Sequence, residues 1–135
     1  MRFDGTLGFP GGFVEDEENL ESGLAREVSE ELGATAGSLN YMESDLVVSH
    51  ECFDKKLCLH FYCKKIELEV LRIIEKELID CPQYGLEVSF LFPIKTYCPI
   101  ITSMYGVVYI LINFDGNPAD KFQFYVGCNI LTNLI

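Results

Sequence analysis

The sequence predicts an α/β domain, and three observations carry the prediction. Apolar side chains recur at helical spacing over residues 20–32 and again over 66–79. β-rich runs alternate with them, of which Leu57–Lys65 (LCLHFYCKK) is the clearest. The first helical stretch lies in an acidic segment, Gly12 to Ala34 (GFVEDEENLESGLAREVSEELGA), whose charges keep a fixed spacing from a glycine. At 135 residues the chain is expected to form one domain over 1–135, long enough to bury a core.

The opening residues lead into a glycine-dense turn, Gly8-Phe9-Pro10-Gly11-Gly12. Glycine lets backbone approach a ligand closely, so beside an acidic helix this reads as a site loop rather than an ordinary tight turn. Phe9 has two readings: a ring stacked on a nucleobase, or a core aromatic, which is the commoner fate of a Phe. Arg2 either contacts a substrate or is simply solvated.

Leu20–Leu32 is predicted as a helix because Leu20, Leu24 and Val28 recur every four residues, and Gly33 stands where helices commonly end. Glu27, Glu30 and Glu31 then share one face. Like charges at this spacing destabilise a bare helix by about 0.2–0.5 kcal/mol per pair. An offsetting positive charge is expected, and hard divalent cations prefer such carboxylate oxygens. Arg26, four residues before Glu30, can pair with it and orient the carboxylate. The alternative is a solvated acidic face.

Leu39 to Val48 reads as loop then strand, closing on Ser49-His50-Glu51. Leu57–Lys65 is expected to be a central strand. Within it His60, among Leu59, Phe61 and Tyr62, reads as a satisfied structural histidine. His50, in polar company, is a candidate for a metal or phosphate contact. Ile66–Ile79 is predicted as a second helix, with Leu68, Leu71, Ile74 and Leu78 on one stripe and Cys81-Pro82 ending it. Leu86–Ile94 reads as a strand that Pro93 either places at an edge or terminates. Pro99–Phe114 is strongly apolar, but Thr102, Ser103 and Gly106 interrupt it. It is also shorter than the roughly 20 residues that span a bilayer, so buried core is expected and no membrane contact. Asn117-Pro118-Ala119-Asp120 reads as a helix start. A terminal helix through Phe122, Val126 and Ile130 is predicted to follow.

The net charge is −11, and Glu15, Asp16, Glu17, Glu18 and Glu21 crowd the first helix. An acidic chain repels nucleic acid unless metal bridges the phosphates. Small phosphorylated substrates delivered with metal therefore fit better than long RNA gripped along its backbone. The six cysteines form no C-x-x-C pair and read as reduced thiols of a cytosolic or nuclear protein.

Gly12, Glu18, Arg26-Glu27, Glu30-Glu31 and Gly33 match the Nudix box, G-x5-E-x7-R-E-U-x-E-E-x-G-U, at every charged and glycine position. Val28 fits the first bulky aliphatic U, whereas Ala34 is small for the second. The chain thus resembles a Nudix hydrolase. Met1–Gly5, Leu7–Val14, Ser49-His50, His60-Phe61-Tyr62 and Gly85–Val88 follow, in order, the branch that decaps small nucleolar RNA and hydrolyses inosine diphosphates. The match covers most of residues 1–114.

The resemblance implies an α/β/α sandwich around a mixed sheet. It implies Mg²⁺- or Mn²⁺-dependent cleavage of phosphoanhydride bonds in nucleoside diphosphate derivatives. In this branch the substrates are (deoxy)inosine diphosphate and methylguanosine-capped RNA. The metal ligands it implies are Glu27 and Glu31, with Glu30 helping, the Gly11 carbonyl, and His50; Arg26 joins the catalytic set. Arg2 and Phe9 match base-contacting positions, and Gln123 is the nearest candidate for a substrate-contacting glutamine. A nuclear (nucleolar and nucleoplasmic) and cytoplasmic location and a homodimer are further expectations.

Only eleven residues precede Gly12, where a Nudix domain normally has strands that complete its sheet. Met1 matches an internal methionine of the branch. The expectation is a product shortened at its N-terminus, lacking its first strands, that self-associates and has little activity on its own. Two other functions stand against the enzyme: a non-catalytic Nudix-like interaction or RNA-binding module, and an inactive shortened product. The complete set of box glutamates favours the enzyme.

Overall fold

Residues 9–82, 84, 92–96, 109–113 and 124–134 are described by the structure, a computed structural model of the chain. Arg2, Gln123, Cys98 and the predicted helix start at 117–120 lie outside these residues. So do most of the predicted strand 86–94 and most of the apolar stretch 99–114.

The acidic segment folds as predicted. Gly11–Phe13 forms a short strand, β1, and Leu20–Leu32 forms the helix α1. Asn19 caps the helix, its side-chain oxygen accepting the Ser22 N–H at 2.8 Å. Leu24, Val28 and Leu32 are fully buried, as their spacing requires. At the other end Gly33 has φ +104°, a conformation side chains rarely adopt, and its N–H returns to the Ser29 carbonyl. A one-turn helix, α2 (Ala34–Gly37), follows directly.

The strand β2 spans Leu46–Cys52, longer than the apolar run alone suggests, and pairs antiparallel with β3, Leu57–Ile66. Ile66 is therefore the last residue of β3 rather than the first of a helix. The helix α3 covers Leu68–Glu77 and tightens into a 3-10 turn over Leu78–Asp80. Its predicted stripe is inside: Leu71, Ile74 and Leu78 are buried and Leu68 packs against them. Two shorter strands follow, β4 (Phe92–Thr96) and β5 (Tyr109–Asn113). β4 is the end strand of the sheet, which agrees with the edge position Pro93 implies.

The predicted terminal helix is wrong. Phe124–Asn133 is a ten-residue strand, β6, paired along its whole length with β3. Residues 122, 126 and 130 satisfy a helical i+4 repeat, but 126 and 130 also fall on alternate positions, and so on one face, of the strand. Val126, Cys128 and Ile130 are all buried, and that period of two decides the matter.

The result is a six-stranded mixed sheet in the order β2-β3-β6-β5-β4, with β1 added to β6. β1 runs parallel to β6 and β4 parallel to β5; the remaining pairs are antiparallel. One face of β3 and β6, carrying Tyr62, Ile66, Val126, Cys128 and Ile130, meets α1, α2 and α3 in a single core. A helix on the other face is not among the described elements. That α/β class with a mixed sheet agrees with the fold the sequence predicts. No helix among the described residues is long and apolar enough to cross a membrane.

Candidate functional site

The carboxylate face of α1 lies against β1, and two glycines make that approach fit. The Gly11 N–H points at Glu31 Oε1, 3.4 Å away. A Cβ on Gly12 would stand 2.5 Å from the Glu27 carboxyl group, so Glu27 can occupy its place only because residue 12 has no side chain. Gly11 is constrained from the other side. It has φ +138°, and a Cβ there would lie 1.6 Å from the Asn129 carbonyl oxygen of β6. The glycines that the sequence offers as a route to a ligand thus serve first to bring strand, helix and carboxylates together. Glu31 is 7% exposed, the one buried charged side chain among the described residues.

Arg26 holds the rest of the face. Its Nε and second terminal nitrogen grip both oxygens of Glu18 at 3.0 and 3.1 Å. The first terminal nitrogen donates to Glu27 at 2.9 Å, and the guanidinium also donates to the Phe13 carbonyl at 3.0 Å. Glu30, which the i+4 spacing offers as the partner, is 3.6 Å away and half exposed. The hydrogen bond from Arg26, with one from the Glu15 backbone, holds the Glu18 carboxyl below its ordinary value. Reciprocally, Glu18 and then Glu27 push the guanidinium further up. Sequence reasoning gave Glu18 no role. Its signal was its place in the box, eight residues before Arg26, but no helical or strand periodicity links the two, because Glu18 precedes the helix.

Other predicted site residues are placed elsewhere. His50 lies on β2, in register with Leu59 of β3, which pairs with Leu131 of β6, which pairs with Phe13 of β1. Two strands therefore separate it from β1, and strands are spaced about 4.8 Å apart. Among the described residues, no group of three or more His, Cys, Asp or Glu side chains is arranged to hold a metal ion, and that holds for Glu27, Glu30 and Glu31 as for His50. Phe9 is 7% exposed, its ring tilted against Phe61 with centroids 4.6 Å apart. It also covers Gly127, where a Cβ would meet the Phe9 ring at 2.8 Å. That burial fits the core reading of Phe9. His60 is a satisfied structural histidine: Nδ1 faces the Ser49 hydroxyl at 2.8 Å and Nε2 the Thr132 hydroxyl at 3.1 Å.

Residues 1–116 match a family model described as Nudt16-like, U8 snoRNA-decapping enzyme-like. The chain belongs to this family. Similar proteins include a U8 snoRNA-decapping enzyme of Mus musculus, 42% identical over 98 residues, which are 72% of this chain and 50% of that protein. One from Homalodisca vitripennis is 44% identical over 88 residues, 65% of this chain and 47% of that protein. A Tudor-interacting repair regulator protein of Homo sapiens is 38% identical over 99 residues, 72% of this chain and 45% of that protein. The chain spans about half the length of the curated relatives it matches.

Nudix hydrolases generally use divalent metals, and the donors here suit one. Glu27 and Glu31, one helical turn apart on the face that meets β1, offer hard oxygens of the kind Mg²⁺ and Mn²⁺ prefer. The buried Glu31 carboxylate at a strand amide fits such a group better than it fits an apolar core.

Proposed function

We propose that this family member is a Nudix hydrolase that uses Mg²⁺ or Mn²⁺ to cleave phosphoanhydride bonds of nucleoside diphosphate derivatives. The substrates proposed are (deoxy)inosine diphosphate and methylguanosine-capped RNA. A nuclear and cytoplasmic location belongs to the same reading. The observation that carries it is the pair of box carboxylates, Glu27 and Glu31, set against the bare backbone of Gly11 and Gly12. The names of the U8 snoRNA-decapping relatives support capped RNA as a substrate class.

Phosphoryl transfer demands positioning and neutralised oxygens more than covalent help. A divalent cation, when bound, supplies the neutralising charge and lowers the pKa of a water. Glu27, Glu31 and the Gly11 carbonyl are the groups that would hold it. Arg26 keeps Glu27 oriented through its direct hydrogen bond and is itself anchored by Glu18. Glu30, with its side chain 50% exposed at the edge of this face, is the carboxylate open to a water and its proton. No covalent nucleophile is needed.

A second reading, a non-catalytic interaction module, is favoured by the relatives named Tudor-interacting repair regulator proteins. The two are separated by a phosphate-release screen over nucleoside diphosphates and capped RNA, with and without Mn²⁺. The hydrolase predicts metal-dependent turnover of at least one substrate. Absence of turnover on every substrate, with retained binding of a Tudor-domain protein, would favour the module.

A further inference from the structure

The carboxylate helix is held at its far end by a residue that no box position includes. Glu77, at the last position of α3, reaches across to the chain just after α1. Its Oε1 accepts the Thr35 hydroxyl at 2.7 Å and its Oε2 accepts the Thr35 N–H at 2.9 Å. The contact is also steric. A Cβ on Gly33 would stand 2.7 Å from Glu77 Oε2 and 2.8 Å from Glu77 Cβ. Gly33 therefore meets two demands at once, a positive φ and room for the Glu77 side chain.

This clasp lies close to the chemistry in sequence. Glu31 is two residues before Gly33 and four before Thr35, and Leu32 between them is fully buried in the core. Glu31 itself has a demanding position, buried against the Gly11 amide. A helix that frays or shifts in its last turn moves that carboxylate first, because terminal turns lack the full set of backbone bonds. α3 is anchored in turn by Leu71, Ile74 and Leu78, so Glu77 ties the helix exit to the packed core rather than to a loop.

We propose that Glu77 is a positioning residue for the metal-binding face: by clasping Thr35 against Gly33 it fixes the exit of α1 and so the place of Glu31 over β1. The proposal rests on the reading of Glu27 and Glu31 as ligands of a divalent cation. It predicts a specific pattern of rescue. A glutamine at 77 keeps both contacts, its amide oxygen accepting the Thr35 N–H and its amide nitrogen donating to the Thr35 hydroxyl. An alanine keeps neither.

The test is Mn²⁺ binding by isothermal titration calorimetry on the 135-residue chain as wild type, Glu77→Gln, Glu77→Ala and Thr35→Ala. Expected are near wild-type affinity for Glu77→Gln, a loss of about tenfold for Glu77→Ala, and a smaller loss for Thr35→Ala. Thr35→Ala carries the test if Glu77→Ala fails to fold. A merely structural Glu77 would lower the melting temperature of Glu77→Ala and leave Mn²⁺ affinity unchanged, and that result overturns the proposal. If the folded wild type binds no Mn²⁺, the metal reading has failed. Hydrogen exchange at the amides of residues 31–35 in metal-free protein then decides the positioning role. Faster exchange in Glu77→Ala but not in Glu77→Gln keeps it, and equal exchange overturns it.

Discussion

A carboxylate buried in protein pays for lost hydration unless its charge is shared, and Glu31 is such a group, with Glu27 one turn away on the same helix. Glu31→Gln is therefore expected to lower Mn²⁺-dependent phosphate release by about 100-fold or more, as loss of a ligand should exceed loss of an outer-shell partner. The same change removes a like charge, so melting temperature in EDTA should hold or rise; normal turnover would remove Glu31 from the ligand set. Phe9 carries the opposite expectation. With its ring packed on Phe61 and over Gly127, Phe9→Ala should cost about 3–5 kcal/mol in urea unfolding. A stable variant that has lost only substrate affinity would restore the base-stacking role. His60 sets a pH dependence. Burial holds its pKa below the ordinary 6.5, so the unfolded chain takes up the proton first as pH falls. The stability it contributes is thus complete above about pH 6.5 and is lost as pH drops through 6.5 toward the lower folded value. Melting curves of wild type should show that decline between pH 7.5 and 5.5, and His60→Asn should flatten it.

At the scale of elements, β1 is a strand of two glycines and a phenylalanine whose task is to admit its neighbours. Gly12→Ala should push the Glu27 carboxyl out of its place, since the new methyl group would overlap it. The expected outcome is a Mn²⁺ affinity lower by about tenfold with the sheet intact, measured by calorimetry and far-ultraviolet circular dichroism. Unchanged affinity would show that Glu27 does not need this site. The elements differ in how well the sequence announces them. α1 was legible to the residue because an i+4 apolar stripe and a terminal glycine agree. α3 was legible as a stripe but not at its start, because Ile66 extends the apolar pattern while pairing with Phe124 in the sheet. β6 was misread because its buried positions obey both periods, and only pairing with β3 chooses between them. The glutamates of the site were legible through their fixed spacing. The grip of Arg26 on Glu18, the distance of His50 and the clasp of Glu77 on Thr35 were not, because each joins residues that only the tertiary fold brings near or keeps apart.

At the scale of the molecule, β2 lies at one end of the sheet formed by the described strands. β2 exposes Val47, Val48, Ser49, His50 and Glu51 in succession, and Phe53 just beyond it is 75% exposed. Edge strands are templates for other chains unless charge or proline blunts them, and Glu51 is the one acid in β2. Self-association that grows with concentration is therefore expected, with a homodimer as its first product. Light scattering after size exclusion measures it, and Val47→Lys should shift the population toward monomer. A wild type that stays monomeric at millimolar concentration would show that the edge is already protected. The charge of −11 opposes association at low salt, so the effect should strengthen as salt is added.

The parallel pairing of β1 with β6 has a consequence in time. Gly11, Gly12 and Phe13 find their partners at Asn129, Ile130 and Leu131, so the strand under the carboxylates is fixed by residues made more than a hundred positions later. During synthesis at about 5–20 residues per second, α1 can form early, but β1 has nothing to pair with and the long strand β3 lacks its full-length partner. Closure of so long a loop precedes any reward from the contacts it makes, which slows folding. The glutamate face therefore cannot be completed before β6 is made, and a ribosome-stalled chain lacking β6 should bind Mn²⁺ no better than an unfolded one.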